Sequence, residues 1–218
     1  MESGKKPAKI TNIFAGFSMV SNFCKVKNMK TLTVDRRVKD FLTDAEIEQF
    51  LIAARKGTHG PRDFLLALLA YRHGFRVSEL IDVRLEEVDL RTARMQVRRL
   101  KGSLSTEHPL EGDELRALRA WLRIRGESKF AHLPHLFVGE RGSMTRQAVN
   151  YLFEQIGKRA GLAFKVRPHM LRHSCGYYLA NKGFDTRLIQ DYLGHQNIHH
   201  TVRYTRTASK RFEGLWRK

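Results

Sequence analysis

Residues 169–205 read HMLRHSCGYYLANKGFDTRLIQDYLGHQNIHHTVRYT and concentrate His169, Arg172, His173, Arg187, His195, His199, His200, Arg203 and Tyr204 in one stretch. These are side chains that hold phosphate and handle protons. Guanidinium groups grip non-bridging phosphate oxygens with paired hydrogen bonds, imidazoles exchange protons near neutral pH, and a phenol becomes a nucleophile once its proton has an acceptor. Metal-free phosphoryl transfer needs a nucleophile, two cations on the phosphate and acid–base groups for the attacking and leaving oxygens. Arg172 lies one helical turn after His169, so the two point at a common spot. His195 follows a Leu-Gly turn that lets the backbone come close, and Tyr204 comes soon after. The second cation must come from elsewhere, and Arg76, just past a strongly apolar segment, is the best placed. Other readings stay open on these residues alone. His169 and His173 share a helix face as zinc ligands do, although Met170 stands where the zinc-protease pattern has Glu. A DNA-binding surface without chemistry, or a basic helical domain with scattered histidines, would show much of the same composition.

The elements that must position these residues are mostly helical. LTDAEIEQFLIAAR opens with a capping box, Thr43 with Glu46, followed by Ile47, Phe50, Leu51 and Ala54 at helical spacing. GPRDFLLALLAYRHG has Pro61 in a first turn, Gly74 as C-cap and an almost unbroken apolar middle, so it is a deeply buried helix that delivers the chain to Arg76. In ARMQVRRLKGSLSTEHPL the period changes. Met95 and Val97 alternate with Arg94, Gln96 and Arg98, and Lys101-Gly102 marks a turn, which predicts a β-hairpin with Lys101 near its tip. DELRALRAWLRIRG reads as a helix capped by Asp113, with Leu115, Leu118, Trp121 and Leu122 inward and its arginines outward. HLFVGERGS gives a brief strand and turn, and an amphipathic helix runs from Thr145 to Gly161. Pro168 opens the helix of His169, and Gly183 and Gly194 punctuate the last short helices. The predicted class is mainly α (α+β): a helical core with a small antiparallel β-sheet and hairpin. Residues 1–38 lack a sustained period and read as a basic, poorly ordered arm before a folded domain over 39–218; alternatively, translation starts at Met29.

The 218 residues carry 40 Lys and Arg against 22 Asp and Glu, a formal net charge of +18. Nine basic and three acidic residues fall within 1–40, so a net charge of about +12 belongs to the remainder. Such an excess on a folded domain implies a polyanionic partner, nucleic acid ahead of an anionic membrane surface. The two cysteines, Cys24 and Cys175, form no CxxC and fit a reducing compartment. There is no apolar run of the roughly 18 residues that a membrane span requires, and ITNIFAGFSMVSNF lacks the features of a signal peptide. The expectation is a cytoplasmic, nucleoid-associated protein without a membrane partner.

Five motifs in order, HGFRVSEL, RRLKGSLSTEHPL, VRPHMLRH, DYLGH and HHTVRYT, together resemble the catalytic domain of tyrosine site-specific recombinases of the lambda-integrase superfamily. The resemblance covers about residues 40–218 and extends to the short fimbrial phase-switch recombinases through RLKGSLSTEHPL and RFEGLW. It implies a tyrosine-recombinase catalytic fold in which Tyr204 attacks a DNA phosphate, leaving a 3′-phosphotyrosyl link and a free 5′-hydroxyl. It further implies that Arg76 and Arg172 clamp the phosphate and Lys101 protonates the leaving oxygen. His169 would help take the tyrosine proton, and His195 would bind a non-bridging oxygen or steady the nucleophile. Glu79 and His173 are the implied supporting residues. Neither metal, ATP nor any other cofactor is implied.

For DNA contact, Arg146, Gln147 and Asn150 share a helix face suited to base edges, and Lys158, Arg159, Lys165 and Arg167 suit phosphates. The partner would be double-stranded DNA with inverted-repeat sites, bound by a homotetramer. Many relatives close a clamp with a separate N-terminal domain of about a hundred residues, comparable to a small domain. Here that grip would come from the arm, the tetramer or an accessory DNA-bending protein, with SKRFEGLWRK docking on a neighbouring protomer or on its own core through Phe212, Leu215 and Trp216. Inversion of a DNA segment in phase variation is the expected outcome, with integration or excision of a mobile element as the alternative. A catalytically silent DNA-binding regulator, a metal-dependent hydrolase and a type IB topoisomerase are rivals. Covalent attachment, chelator sensitivity and site dependence, respectively, would separate them.

Overall fold

The computed structural model describes residues 39–100 and 105–206. The expected basic arm over 1–38, Lys101 at the hairpin tip and the SKRFEGLWRK tail lie outside the described residues. Eight α-helices and five short strands make up the described part. Helix α1 (Asp44–Arg55) starts with the Thr43/Glu46 capping box and buries Ile47, Phe50, Ala53 and Ala54. Helix α2 (Gly60–Arg72), with Pro61 in its first turn, is buried continuously from Arg62 to Ala70. It is the central post of the core and packs against α1, α4 and α6. Each fully buried Leu or Phe contributes roughly 1.5–3 kcal/mol relative to exposure, so α2 anchors the turn at its C-terminal end. That turn consists of His73 as C-cap, Gly74 at φ +55°, buried Phe75, and Arg76 as the N-cap of α3 (Val77–Ile81). Glycine is required at 74 on two counts: the left-handed backbone, and the space that a Cβ would take from Leu193 Cδ2 at 2.4 Å.

A three-stranded antiparallel sheet holds β1 (Val88–Asp89), β2 (Arg94–Val97) and β3 (Thr106–Pro109) in that order, with Met95 opposite His108 and Val97 opposite Thr106. Met95, Val97 and His108 face the core. Helix α4 (Gly112–Gly126) corrects the sequence reading at two points. Its N-cap is Glu111, in a capping box with Glu114, whereas Asp113 sits inside the first turn and pairs with Arg72 of α2 at 2.6 Å. Nor do all its arginines point outward: Arg125 is buried and donates to the carbonyls of Ala131, Leu133 and His135. A small hairpin, β4 (Val138–Gly139) with β5 (Gly142–Ser143), leads into α5 (Arg146–Arg159), capped by Thr145. Helix α6 (Pro168–Asn181) carries the His-x-x-Arg-His stretch; α7 (Thr186–Leu193) and α8 (His199–Arg206) close a second, smaller core of Cys175, Ala180, Ile189, Leu193 and Tyr204. No helix among the described residues is long and apolar enough to cross a membrane.

Candidate active site

Four chain segments meet at a cleft of about 750 Å³. Arg76 comes from the α2–α3 turn; His169, Arg172 and His173 come from α6; His195, Gln196 and Asn197 lie just beyond α7; His199, His200, Arg203 and Tyr204 come from α8. The guanidinium groups of Arg76 and Arg172, ninety-six positions apart in the chain, therefore line one cavity together with the Tyr204 phenol.

Each is held by identifiable partners. Arg76 donates through Nη1 to Glu79 Oε1 at 2.5 Å and through Nη2 to the Gly194 carbonyl at 3.3 Å, while its backbone N–H donates to Glu79 Oε2 at 2.9 Å. About a third of its side chain stays exposed to the cleft. Glu79 itself is fully buried. Burial alone would raise its pKa, but the Arg76 backbone N–H and the Arg99 charge prevail and hold its carboxyl below the usual carboxylate range. Arg172 is 1% exposed, donating to the carbonyls of Gly74 and, at 2.7 Å, Leu193. Burial and the neighbouring Arg76 and Arg99 charges lower its pKa to about 10, which still leaves it cationic at neutral pH.

Tyr204 is almost fully buried, and its hydroxyl lies 2.7 Å from His173 Nδ1. Burial pushes the phenol up to about 12 despite the opposing charges of Arg172 and Arg203. His173 is pulled down to about 3 by burial, with His169, Arg203 and Arg172 acting in the same direction. The contact is therefore a neutral pair in which the phenol donates and the imidazole accepts. His169 meets the His173 ring edge-on, 4.2 Å between centroids, and burial with the Arg172 charge lowers its pKa too. His195 comes directly after Gly194, whose φ of +64° turns the chain at the end of α7; its Nδ1 lies 2.8 Å from the Thr201 hydroxyl of α8. Burial and the Arg172 and Arg76 charges bring His195 to about 3. The imidazole nearest the phenol is thus His173, to which the sequence motifs assign only a supporting place.

The residues expected to touch DNA are distributed less closely. Arg146, Gln147 and Asn150 are exposed at the start of α5, and Arg167 is exposed as the N-cap of α6. Lys158 and Lys165 both pair with Glu154, the former at 3.0 Å. Arg159 reaches back to the Ala53 carbonyl at 3.0 Å. Two features escaped the sequence reading. Arg99 is fully buried beside Glu79, and His73, His108 and Glu114 form a buried chain, with His73 bridging Glu114 at 2.9 Å and His108 at 3.0 Å. A signal was present for both: continuing the β2 alternation through Met95 and Val97 puts Arg99 on the inward face, and His108 stands opposite Met95.

Comparison with known proteins agrees with this geometry. Residues 40–211 match the family model described as "Phage integrase family". The chain is 46% identical over 183 residues to the type 1 fimbriae regulatory protein FimB of Escherichia coli K12, covering 84% of this chain and 92% of FimB. It is 47% identical over 180 residues to FimE of the same strain, covering 82% of this chain and 91% of FimE. Tyrosine recombinase XerA of Pyrococcus horikoshii is 32% identical over 190 residues, 85% of this chain and 62% of XerA. Among solved structures, a XerA recombinase crystal structure superimposes with a TM-score of 0.68 at 28% identity over 76% of this chain, which spans 58% of that chain. The catalytic domain of bacteriophage HP1 integrase shares the fold at a TM-score of 0.56, covering 80% of this chain and 95% of that domain. With the family model spanning most of its length and Tyr204, the arginines and the imidazoles gathered at one cleft, the chain belongs to the phage integrase family and is a tyrosine recombinase that cleaves and rejoins DNA.

Proposed function

We propose that this recombinase inverts a DNA segment between short inverted repeats, as a phase switch, through a 3′-phosphotyrosyl intermediate. The convergence of Arg76, Arg172, His195 and Tyr204 on one cleft carries the reading, and the likeness to two type 1 fimbriae regulatory proteins over most of their length supports the biological outcome. In each cleavage the Tyr204 oxygen bonds to the scissile phosphorus and the bond to the 5′-oxygen breaks. The phenolic proton passes to the His173–His169 pair, and Lys101 gives a proton to the 5′-oxygen. Arg76 and Arg172 hold the non-bridging oxygens, and His195 donates to one of them. Rejoining runs the same steps backwards. Because the phosphotyrosyl bond conserves the free energy of the broken diester, neither ATP nor a metal ion is needed.

Recombination between two duplexes requires four protomers, so the active form is a homotetramer on double-stranded DNA, assisted by an accessory DNA-bending protein. Arg146, Gln147 and Asn150 read base edges. Lys158, Arg159, Lys165 and Arg167 contact phosphates, releasing Glu154 and Ala53 as they do so. The decisive experiment is incubation with a nicked suicide substrate carrying candidate repeats, in the presence of a chelator. An SDS-resistant protein–DNA adduct is expected with the parent protein and not with Tyr204→Phe. An adduct that persists in the variant, or that requires a divalent ion, overturns the mechanism.

A further inference from the structure

Arg99 stands at the root of the β2–β3 hairpin, and its side chain has no exposed surface. Its two terminal nitrogens donate in four directions: to Glu79 Oε2 at 3.0 Å, to the His73 carbonyl at 2.9 Å, to the Gly74 carbonyl at 3.4 Å and to the Tyr192 carbonyl at 2.6 Å. These acceptors belong to the segments that carry the cleft. His73 and Gly74 precede Arg76, Glu79 holds Arg76, and Tyr192 lies three residues before His195. Arg99 also shares acceptors with both cleft arginines, Gly74 with Arg172 and Glu79 with Arg76. The alkyl stem is equally constrained, since a Cβ on Gly194 would lie 2.8 Å from Arg99 Cγ. The hairpin legs are fixed at the same point: the Arg99 N–H donates to Ser105 Oγ at 3.2 Å, and the Leu100 N–H points at Glu79 Oε1 at 3.4 Å.

A buried ion pair is a poor way to stabilise a fold, because desolvating the charges offsets much of their attraction and an apolar residue of similar volume is often as good. What a buried guanidinium does provide is geometry, with several donors in a rigid plane. Here that plane locks the base of the hairpin to the turn of Arg76 and the end of α7. We propose that Arg99 is a positioning residue that fixes the base of the β2–β3 hairpin relative to the phosphate-clamping arginines, and that the proton transfer assigned to Lys101 depends on it.

This inference rests on the strand-transfer reading above, and its test separates the two. Single-turnover cleavage is measured for Arg99→Lys, Arg99→Met and Lys101→Ala on a nicked suicide substrate, with an ordinary diester and with a 5′-bridging phosphorothiolate. The sulfur leaves as a thiolate and needs no proton, so loss of the acid is forgiven. Assays run well below each variant's thermal midpoint, with DNA affinity measured alongside. Lys101→Ala is expected to slow the ordinary substrate by about 10²–10⁴-fold and to recover on the phosphorothiolate. Arg99→Lys and Arg99→Met should lose about 10–100-fold on the ordinary substrate, as a misplaced catalytic group does, keep their DNA affinity within about threefold as the same hypothesis requires, and recover on the phosphorothiolate. Equal loss on both substrates, an unchanged rate, or failure of both variants to fold makes Arg99 a purely structural residue and overturns the proposal. If the parent protein forms no adduct, or if Lys101→Ala is not rescued, it is the strand-transfer reading that fails.

Discussion

His173 and Tyr204 face each other at 2.7 Å with their proton affinities driven apart, the imidazole down to about 3 and the phenol up to about 12. At rest the proton therefore stays on the phenol. In the proposed mechanism, a DNA phosphate seated between Arg76 and Arg172 brings negative charge to the neighbourhood. That charge raises the imidazole's affinity for a proton, while the two arginines favour the phenolate during attack. The substrate would thus switch on its own base. His173→Asn retains a polar group near the position of Nδ1 but cannot accept a proton to become a cation. It is expected to lower single-turnover cleavage by about 10²–10⁴-fold, the usual worth of a general base, with DNA affinity within a few-fold of the parent. His169→Asn should lose less, because His169 meets the His173 ring while His173 meets the phenol. A larger loss in His169→Asn, measured in the same adduct assay, would return the base role to His169.

Helix α8 is an element held in place from outside. At eight residues it is too short to persist alone in water. Tyr204 anchors it in the second core, Thr201 meets His195 at 2.8 Å, Thr186 donates to Thr205 at 3.1 Å, and Arg203 pairs with Asp40. The close seat for the tyrosine ring is Gly176 in α6, where an added Cβ would lie 2.6–2.7 Å from three ring atoms. Alanine at a helix-interior glycine ordinarily stabilises by about 1 kcal/mol. Here the ring must move instead, so Gly176→Ala is expected to abolish most adduct formation and to speed limited proteolysis within residues 195–206. Retained activity with unchanged protease resistance would show that the ring can give way. The sequence announced α1 and α2 clearly because a capping box and an unbroken apolar run are local signals. The start of α4 was misread because Asp113 is a better N-cap residue than Glu111 by type, yet its carboxylate is taken by Arg72 on another helix. The order of Arg76, Lys101, Arg172, His195 and Tyr204 in the chain was legible through the motifs. The alternation of β2 marked Arg99 as inward-facing, but what Arg99 and the His73–His108–Glu114 chain hold was not legible, since the role of a polar side chain on an inward-facing position declares itself only when its tertiary acceptors are known.

At the scale of the whole molecule, the same burial that lowers the proton affinity of these imidazoles makes the fold sensitive to acid. His108 and His173 are buried and titrate at about 3, His108 chiefly through burial with the His73 and Arg99 charges adding to it. His195, less deeply buried, shifts the same way. In the unfolded chain each would titrate near 6.5. Below that value the unfolded state binds protons that the folded state refuses, so folding stability is complete above about pH 6.5 and drains as pH falls towards 3. Each such histidine contributes a slope of up to about 1.4 kcal/mol per pH unit once well below 6.5. The buried carboxylates act in a lower window: Glu79 and Glu114 are held below their ordinary value of 4.5, so their contribution is lost only as pH falls beneath it. Denaturant unfolding between pH 7 and 5 therefore isolates the histidines, and the midpoint is expected to fall steadily across that range. The net charge of +18 adds self-repulsion as histidines ionise, but salt screens that term and leaves the proton linkage of buried groups largely intact. His108→Asn, far in sequence from the α6–α8 residues, should remove close to one proton's worth of the slope at high salt. A midpoint indifferent to pH in this range would mean that these imidazoles become protonated without leaving the core.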